Sequence, residues 1–135
     1  MDNIIFENYT DEVIKAIEKF GINWLEEASG ELEAQVKQNT VVDTGKTKGS
    51  WQHKVDEKKL EGYVGSNYEN AIWEEYGTGI YSSNGNGRKT PWKYKDKNGW
   101  HTTSGKKPRR ALQRAFNQKE SEIINLAKQT FKGLK

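Results

Sequence analysis

From Thr10 to Asn39 the apolar positions fall at Val13, Ile17, Phe20, Trp24, Ala28, Leu32 and Val36. Steps of three and four residues mark one face of a helix. Most of the steps are four, slightly longer than the 3.6-residue turn, so the stripe slides around the helix. Thr10 can cap this helix, and Asp11 and Glu12 suit the positive end of its dipole. Gly30 is a weak helix former and marks a candidate bend. The outer face carries Glu18, Glu26, Glu27, Glu31 and Glu33.

Beyond Ser50 the period changes to two. Trp51, His53 and Val55 alternate with Gln52 and Lys54, a polar turn follows at "DEKK", and "LEGYVGS" returns as a second strand. That pattern predicts a hairpin. "NYENAIWEEYGTG" predicts a short helix with Tyr68, Ala71 or Ile72, and Tyr76 on one face, halted by Gly77 and Gly79. Residues 80–91 read as a polar, flexible loop. "WKYKDKNGWHTT" predicts a second hairpin with Trp92 and Tyr94 on one face and a turn at Asn98-Gly99. Pro108 is placed to open a last helix, whose apolar face is Leu112, Ala115, Phe116, Ile123, Ile124, Ala127 and Phe131. The predicted fold is α+β: an antiparallel sheet of about four strands packed against a long N-terminal helix and a C-terminal helix. One domain spans 1–135, with a flexible loop and hairpin at about 80–104.

The composition limits the core. Only 33% of the 135 residues are hydrophobic and 30% are charged, so aromatic side chains must carry much of the burial. There are no cysteines, which excludes disulfides and thiolate metal sites. No apolar run reaches the ~20 residues of a membrane span, so no membrane association is expected. The N-terminus lacks a basic region followed by an apolar stretch, and no secretory signal is expected. The net charge of +3 hides a sharp asymmetry: residues 1–38 hold nine acids and three bases, and residues 88–114 hold ten bases and one acid. A chain with two electrically opposite ends suits either a nucleic-acid surface or a subunit that docks its basic end on the acidic end of another copy.

"VVDTG" at Val41 to Gly45 resembles the active-site loop of a retroviral-type aspartic protease. That chemistry needs two facing carboxylates sharing a proton in an almost all-strand fold. Here a long helical pattern precedes the triplet, and Lys46 follows it. The structural reading is preferred: Asp43 can bond backbone N–H groups ahead of it, Thr44 follows, and Gly45 can turn left-handed, reversing the chain. His53 and His101 have no second ligand at metal spacing. Gly77-Thr78-Gly79 and "NGNGRKT" do not complete a phosphate loop and read as turns. The stretch 88–114 interleaves bases with Trp92, Tyr94 and Trp100, so a small nucleic-acid-binding module is the alternative reading.

Three motifs in order resemble the phage tail-completion or head–tail joining proteins, the gene-product-ten-like tail components of siphophages and prophages. The first resembles Pro-Val-Asp-Thr-Gly-x-Leu-Arg-x-Ser. Val42, Asp43, Thr44, Gly45, Lys48 and Ser50 match it, with Val41 and Thr47 departing. In the second, a Val-Gly strand end leads to Glu-Tyr-Gly-Thr, matched by Val64, Gly65, Tyr68, Ala71, Glu75, Tyr76, Gly77 and Thr78. The third opens the last helix. Gly105, Lys107, Pro108, Leu112, Ala115 and Phe116 match, and Arg110, Ala111 and Arg114 depart.

The resemblance implies an α+β structural protein of virion assembly, with no catalysis and no cofactor. It also implies work in the host bacterial cytoplasm during assembly and in the neck or tail of the virion. The expected partners are further copies in a ring and neighbouring neck and tail proteins, with DNA passing through but not specifically bound. A ring needs two different patches that meet head to tail. The candidates are Glu26, Glu27, Glu31 and Glu33 on one side, and Trp92, Trp100, Lys106, Lys107, Arg109 and Arg110 on the other. Asp43, Thr44, Gly45, Gly77, Thr78 and Gly79 are expected to be structural turns.

Overall fold

The computed structural model describes residues 10–42 and 45–133. Helix α1 (Thr10–Asn39) is the spine of the chain, about 45 Å long at 1.5 Å per residue. Its end at Asn39 is the one that the apolar stripe predicts, and Thr10, read as a cap, is itself helical. A single helical turn, α2 (Lys46–Gly49), leads into strand β1 (Gln52–Asp56), which pairs antiparallel with β2 (Glu61–Gly65). Then come α3 (Glu69–Tyr76), a 3-10 turn at Gly79–Tyr81, the second antiparallel pair β3 (Trp92–Asp96) and β4 (Gly99–Thr103), and α4 (Ala111–Phe131).

The class is α+β as predicted, and the four strands divide into two separate two-stranded sheets. β1–β2 lies on α1. Gly62 makes the close fit possible, because a Cβ there would stand 2.5 Å from Ser29 Oγ and 3.3 Å from Leu25. The chain between β2 and β3 carries the second hairpin away from this sheet. α4 packs on α1 rather than on a sheet.

The two long helices run antiparallel. Asn39 Nδ2, at the end of α1, donates to the carbonyl of Ala111 (3.2 Å) and to Gln118 Oε1 (2.8 Å). Further along, Trp24 Nε1 donates to the carbonyl of Ile123 (2.8 Å), and the rings of Phe20 and Phe131 meet at 6.4 Å. α4 therefore ends level with Phe20, and the first ten residues of α1 run on beyond it. Val13, Ile14 and Ile17 on that overhang are exposed.

The core sits at the other end, where α1, α3 and the start of α4 converge. It consists of Val36, Trp51, Ala71, Ala111 and Ala115, with Val64 and Leu112 against it. The alanines let α1 and α3 each approach α4, and Trp51 packs in the same cluster. Its Nε1 donates to Thr40 Oγ1 (3.0 Å), whose hydroxyl donates to the carbonyl of Val36 (2.7 Å), so the indole N–H is satisfied inside the core.

Two details of the last helix differ from the sequence reading. It begins at Ala111, three residues after Pro108. Arg110 is left-handed (φ 55°), so the helix cannot begin before it, and the N–H of Arg109 donates to the carbonyl of Glu74 (2.7 Å). In addition, Phe116 and Ile124, assigned to its apolar face, are exposed.

Candidate functional site

The Asp-Thr-Gly turn is only partly visible. Asp43 and Thr44 lie outside the described residues. Gly45 is left-handed (φ 84°) at the N-terminus of α2, the conformation expected of it. The one-turn helix α2 was not legible in the sequence, since Lys-Thr-Lys-Gly has no periodicity to read. Among the described residues no group of three His, Asp or Glu side chains could hold a metal ion, and no helix is long and apolar enough to cross a membrane.

Gly77-Thr78-Gly79 is more than a helix stop. It forms a backbone joint with Ser104–Lys107. Thr78 N–H donates to the carbonyl of Lys106 (2.9 Å), Lys106 N–H donates to Thr78 Oγ1 (2.9 Å), and Ile80 N–H donates to the carbonyl of Ser104 (3.1 Å). The backbones touch so closely that a Cβ on Gly79 would lie 2.0 Å from the Ser104 oxygen. Gly79 is also left-handed (φ 60°), so glycine is needed there on two counts. This joint roots the β3–β4 hairpin, which packs on no helix as extensively as β1–β2 packs on α1.

The adjacent glutamates of α3 complete the arrangement. Glu75 is 5% exposed, and its carboxylate accepts the N–H of Leu112 (2.7 Å) and of Gln113 (3.1 Å). These are free donors in the first turn of α4, which receives no side-chain cap from Arg110. A carboxylate at that position gains from both charge-assisted hydrogen bonds and the helix dipole. Glu74 faces the other way, pairing with Lys106 and with Arg109 Nε (3.0 Å). The two together fasten the third motif to the second.

The predicted interface residues are consequently sorted into engaged and free. Lys106 and Arg109 are tied to Glu74. Arg110 donates to Ser83 Oγ (2.9 Å) and lies over the Tyr76 ring (5.7 Å), while Lys107 lies over Tyr81 (5.8 Å). On α1, Glu26 and Glu33 flank His53 of β1, each carboxylate 3.3 Å from a different ring nitrogen. The Glu33 contact is misaligned for a hydrogen bond, leaving His53 Nδ1 without one. Glu31 reaches Lys119 of α4 (3.6 Å). Glu27 is exposed.

In the second hairpin the register sets Trp92 opposite Thr103, Tyr94 opposite His101 and Lys95 opposite Trp100. Directly paired residues share a face. One face holds Trp92 and Tyr94, as predicted; Arg88 covers the half-buried Trp92 (5.7 Å), and Tyr94 stacks on His101 (5.2 Å). The opposite face presents Lys93, Lys95, Thr102 and Trp100, and Trp100 is 69% exposed. Trp92 and Trp100 therefore do not act together.

Sequence reasoning matched Glu75 to a motif without a role for it. The available signal was its place directly before the Tyr-Gly-Thr stop, in a helix too short to need two consecutive acids on its surface.

The arrangement consists of glycine joints, an inter-element carboxylate cap and a small core, with many apolar side chains left at the surface. Residues 6–77, just over half of the chain, match the family described as "Bacteriophage HK97-gp10, putative tail-component". The chain belongs to this family of structural phage tail components. No curated protein and no solved structure matches it. The match covers the first motif and the second as far as Gly77; the third lies beyond it.

Proposed function

We propose that this chain is a ring-forming subunit of the head–tail connector or tail end of a tailed phage or prophage. It acts by fitting against copies of itself and neighbouring neck and tail proteins, without catalysis or a cofactor. DNA passes through the ring without being specifically bound. Assembly takes place in the host cytoplasm, and the finished subunit resides in the virion.

The observation that carries this reading is the apolar surface. Among the described residues, seventeen large apolar or aromatic side chains are more than a third exposed, whereas Val36 and Trp51 are the only large ones buried. Surface of this kind supports the reading of an assembling subunit. Family membership supplies the setting, the tail of a virion.

Disrupting the gene in the phage or prophage that carries it tests the role. Electron microscopy of lysates is expected to show filled heads and tail tubes that fail to join or terminate correctly. Intact, infectious particles at the normal yield would overturn the proposal.

A further inference from the structure

Among the described residues two prominent features are unpartnered, and they are complementary. One is the outer face of the β3–β4 hairpin, where Trp100 stands exposed beside Lys93 and Lys95, the latter 6.0 Å from the indole. From Arg88 to Thr103 the hairpin segment holds five bases and one acid. The other is the overhang of α1. There Val13, Ile14 and Ile17 are exposed because α4 ends level with Phe20. Asp11 and Glu18 stand three and four residues from Ile14, which places them along one edge of this stripe. Neither acid makes an ion pair among the described residues.

We propose that the hairpin of one copy docks on the α1 overhang of the next. Trp100 covers the Val13–Ile14–Ile17 stripe, and Lys93 and Lys95 reach Asp11 and Glu18. The inference rests on the assembly reading above and gives it two surfaces. The contact joins different patches, so repeating it generates a ring if the rotation closes. An exposed tryptophan on a rooted arm is a suitable anchor, because little ordering remains to be done when it binds. The lysines steer encounter and fix register.

A second copy fits these observations better than nucleic acid does. A DNA strand could use Trp100 and the lysines, but it would leave the acid-edged apolar stripe on α1 uncovered. One contact between copies satisfies both features.

The interface assigned here differs from the basic residues before α4. Lys106 and Arg109 are already held by Glu74, so reversing their charge would loosen the fold as well as any contact. The hairpin face offers a cleaner test. Three variants of the full chain are compared with wild type by sedimentation: Lys93→Glu with Lys95→Glu, Asp11→Lys with Glu18→Lys, and all four together. Circular dichroism and Tm verify that each remains folded. Each pair alone is expected to raise the concentration for half-assembly at least about tenfold. The fourfold variant should restore it. Trp100→Ala, which leaves every charge in place, should weaken assembly to a similar extent.

If wild type assembles and the charge pairs and Trp100→Ala assemble equally well, this interface is wrong and the subunit reading stands. If wild type remains monomeric throughout, the subunit reading falls and this inference with it. Retention of a single-stranded DNA oligonucleotide that is lost in the Lys93/Lys95 variant, with assembly unchanged, would assign the hairpin to nucleic acid and overturn the docking.

Discussion

The carboxylate of Glu75 accepts the backbone N–H of Leu112 at 2.7 Å and closes the N-terminus of a helix that lies 37 residues further along the chain. Helix caps ordinarily come from the residue just before the helix. Here that residue, Arg110, is left-handed and gives no side-chain cap, and the cap comes from α3. Because Glu75 is buried, its loss leaves two donors with poor access to water. Glu75→Ala should lower unfolding stability by about 2–3 kcal/mol, the range for a buried charge-assisted hydrogen bond. Glu75→Gln, which still offers an acceptor oxygen, should cost less. Urea denaturation of the two variants checks the order.

The backbone joint separates two effects of glycine. Gly79 and Gly85 are both left-handed, with φ of 60° and 75°. An added Cβ at Gly85 meets nothing within 4 Å, whereas at Gly79 it meets the Ser104 oxygen at 2.0 Å. Gly85→Ala should therefore cost only the left-handed penalty, roughly 1–2 kcal/mol. Gly79→Ala should cost clearly more, because the backbone of the joint must move. Faster amide exchange at Ile80, which donates across the joint, should accompany Gly79→Ala and not Gly85→Ala.

Trp51 combines packing and a hydrogen bond that can be removed separately. Trp51→Phe removes the donor to Thr40 and should cost about 1 kcal/mol plus a smaller packing loss. Trp51→Ala removes the largest side chain in the core and should cost about 3–5 kcal/mol. With so few large buried residues, that second loss should leave little native population. Thermal unfolding followed by circular dichroism distinguishes the two.

The second hairpin should loosen in acid. Asp96 has a carboxyl group held below the usual carboxylate range, first by the N–H of Asn98 (2.8 Å) and then by His101 (2.9 Å). A lowered folded pKa means that the carboxylate contributes stability above its unfolded pKa, and that this stability is lost as pH falls through the folded value. The group lies at the surface, so the effect is local. NMR titration should give Asp96 an acid-shifted midpoint, and exchange of the β3–β4 amides should rise as it protonates. Asp96→Asn should abolish that pH dependence.

Long-period features were legible in the sequence. The stripe from Val13 to Val36 gave the end of α1 at Asn39, because so long a run of 3.6-fold spacing leaves little freedom. Alternation gave the two hairpins, and Trp92 and Tyr94 do share a face. What could not be read were contacts between distant segments. Pro108 carries a strong helix-start signal, yet Glu74 and Glu75 claim the backbone on either side of Arg110 and delay the helix to Ala111. The glutamates of α1 looked like one free acidic face, but His53 and Lys119 occupy three of them from other elements. The exposure of Trp100 depends on hairpin register and on what fails to pack against it, and neither has a local signature.

Sedimentation velocity of the purified full chain, from submicromolar to high micromolar concentration and at low and high salt, bears on all of this at once. The expected result is a closed oligomer of one defined mass that forms with rising concentration and retreats as salt screens the charges. A single monomeric species at every concentration and salt, unchanged when neighbouring neck and tail proteins are added, would contradict it.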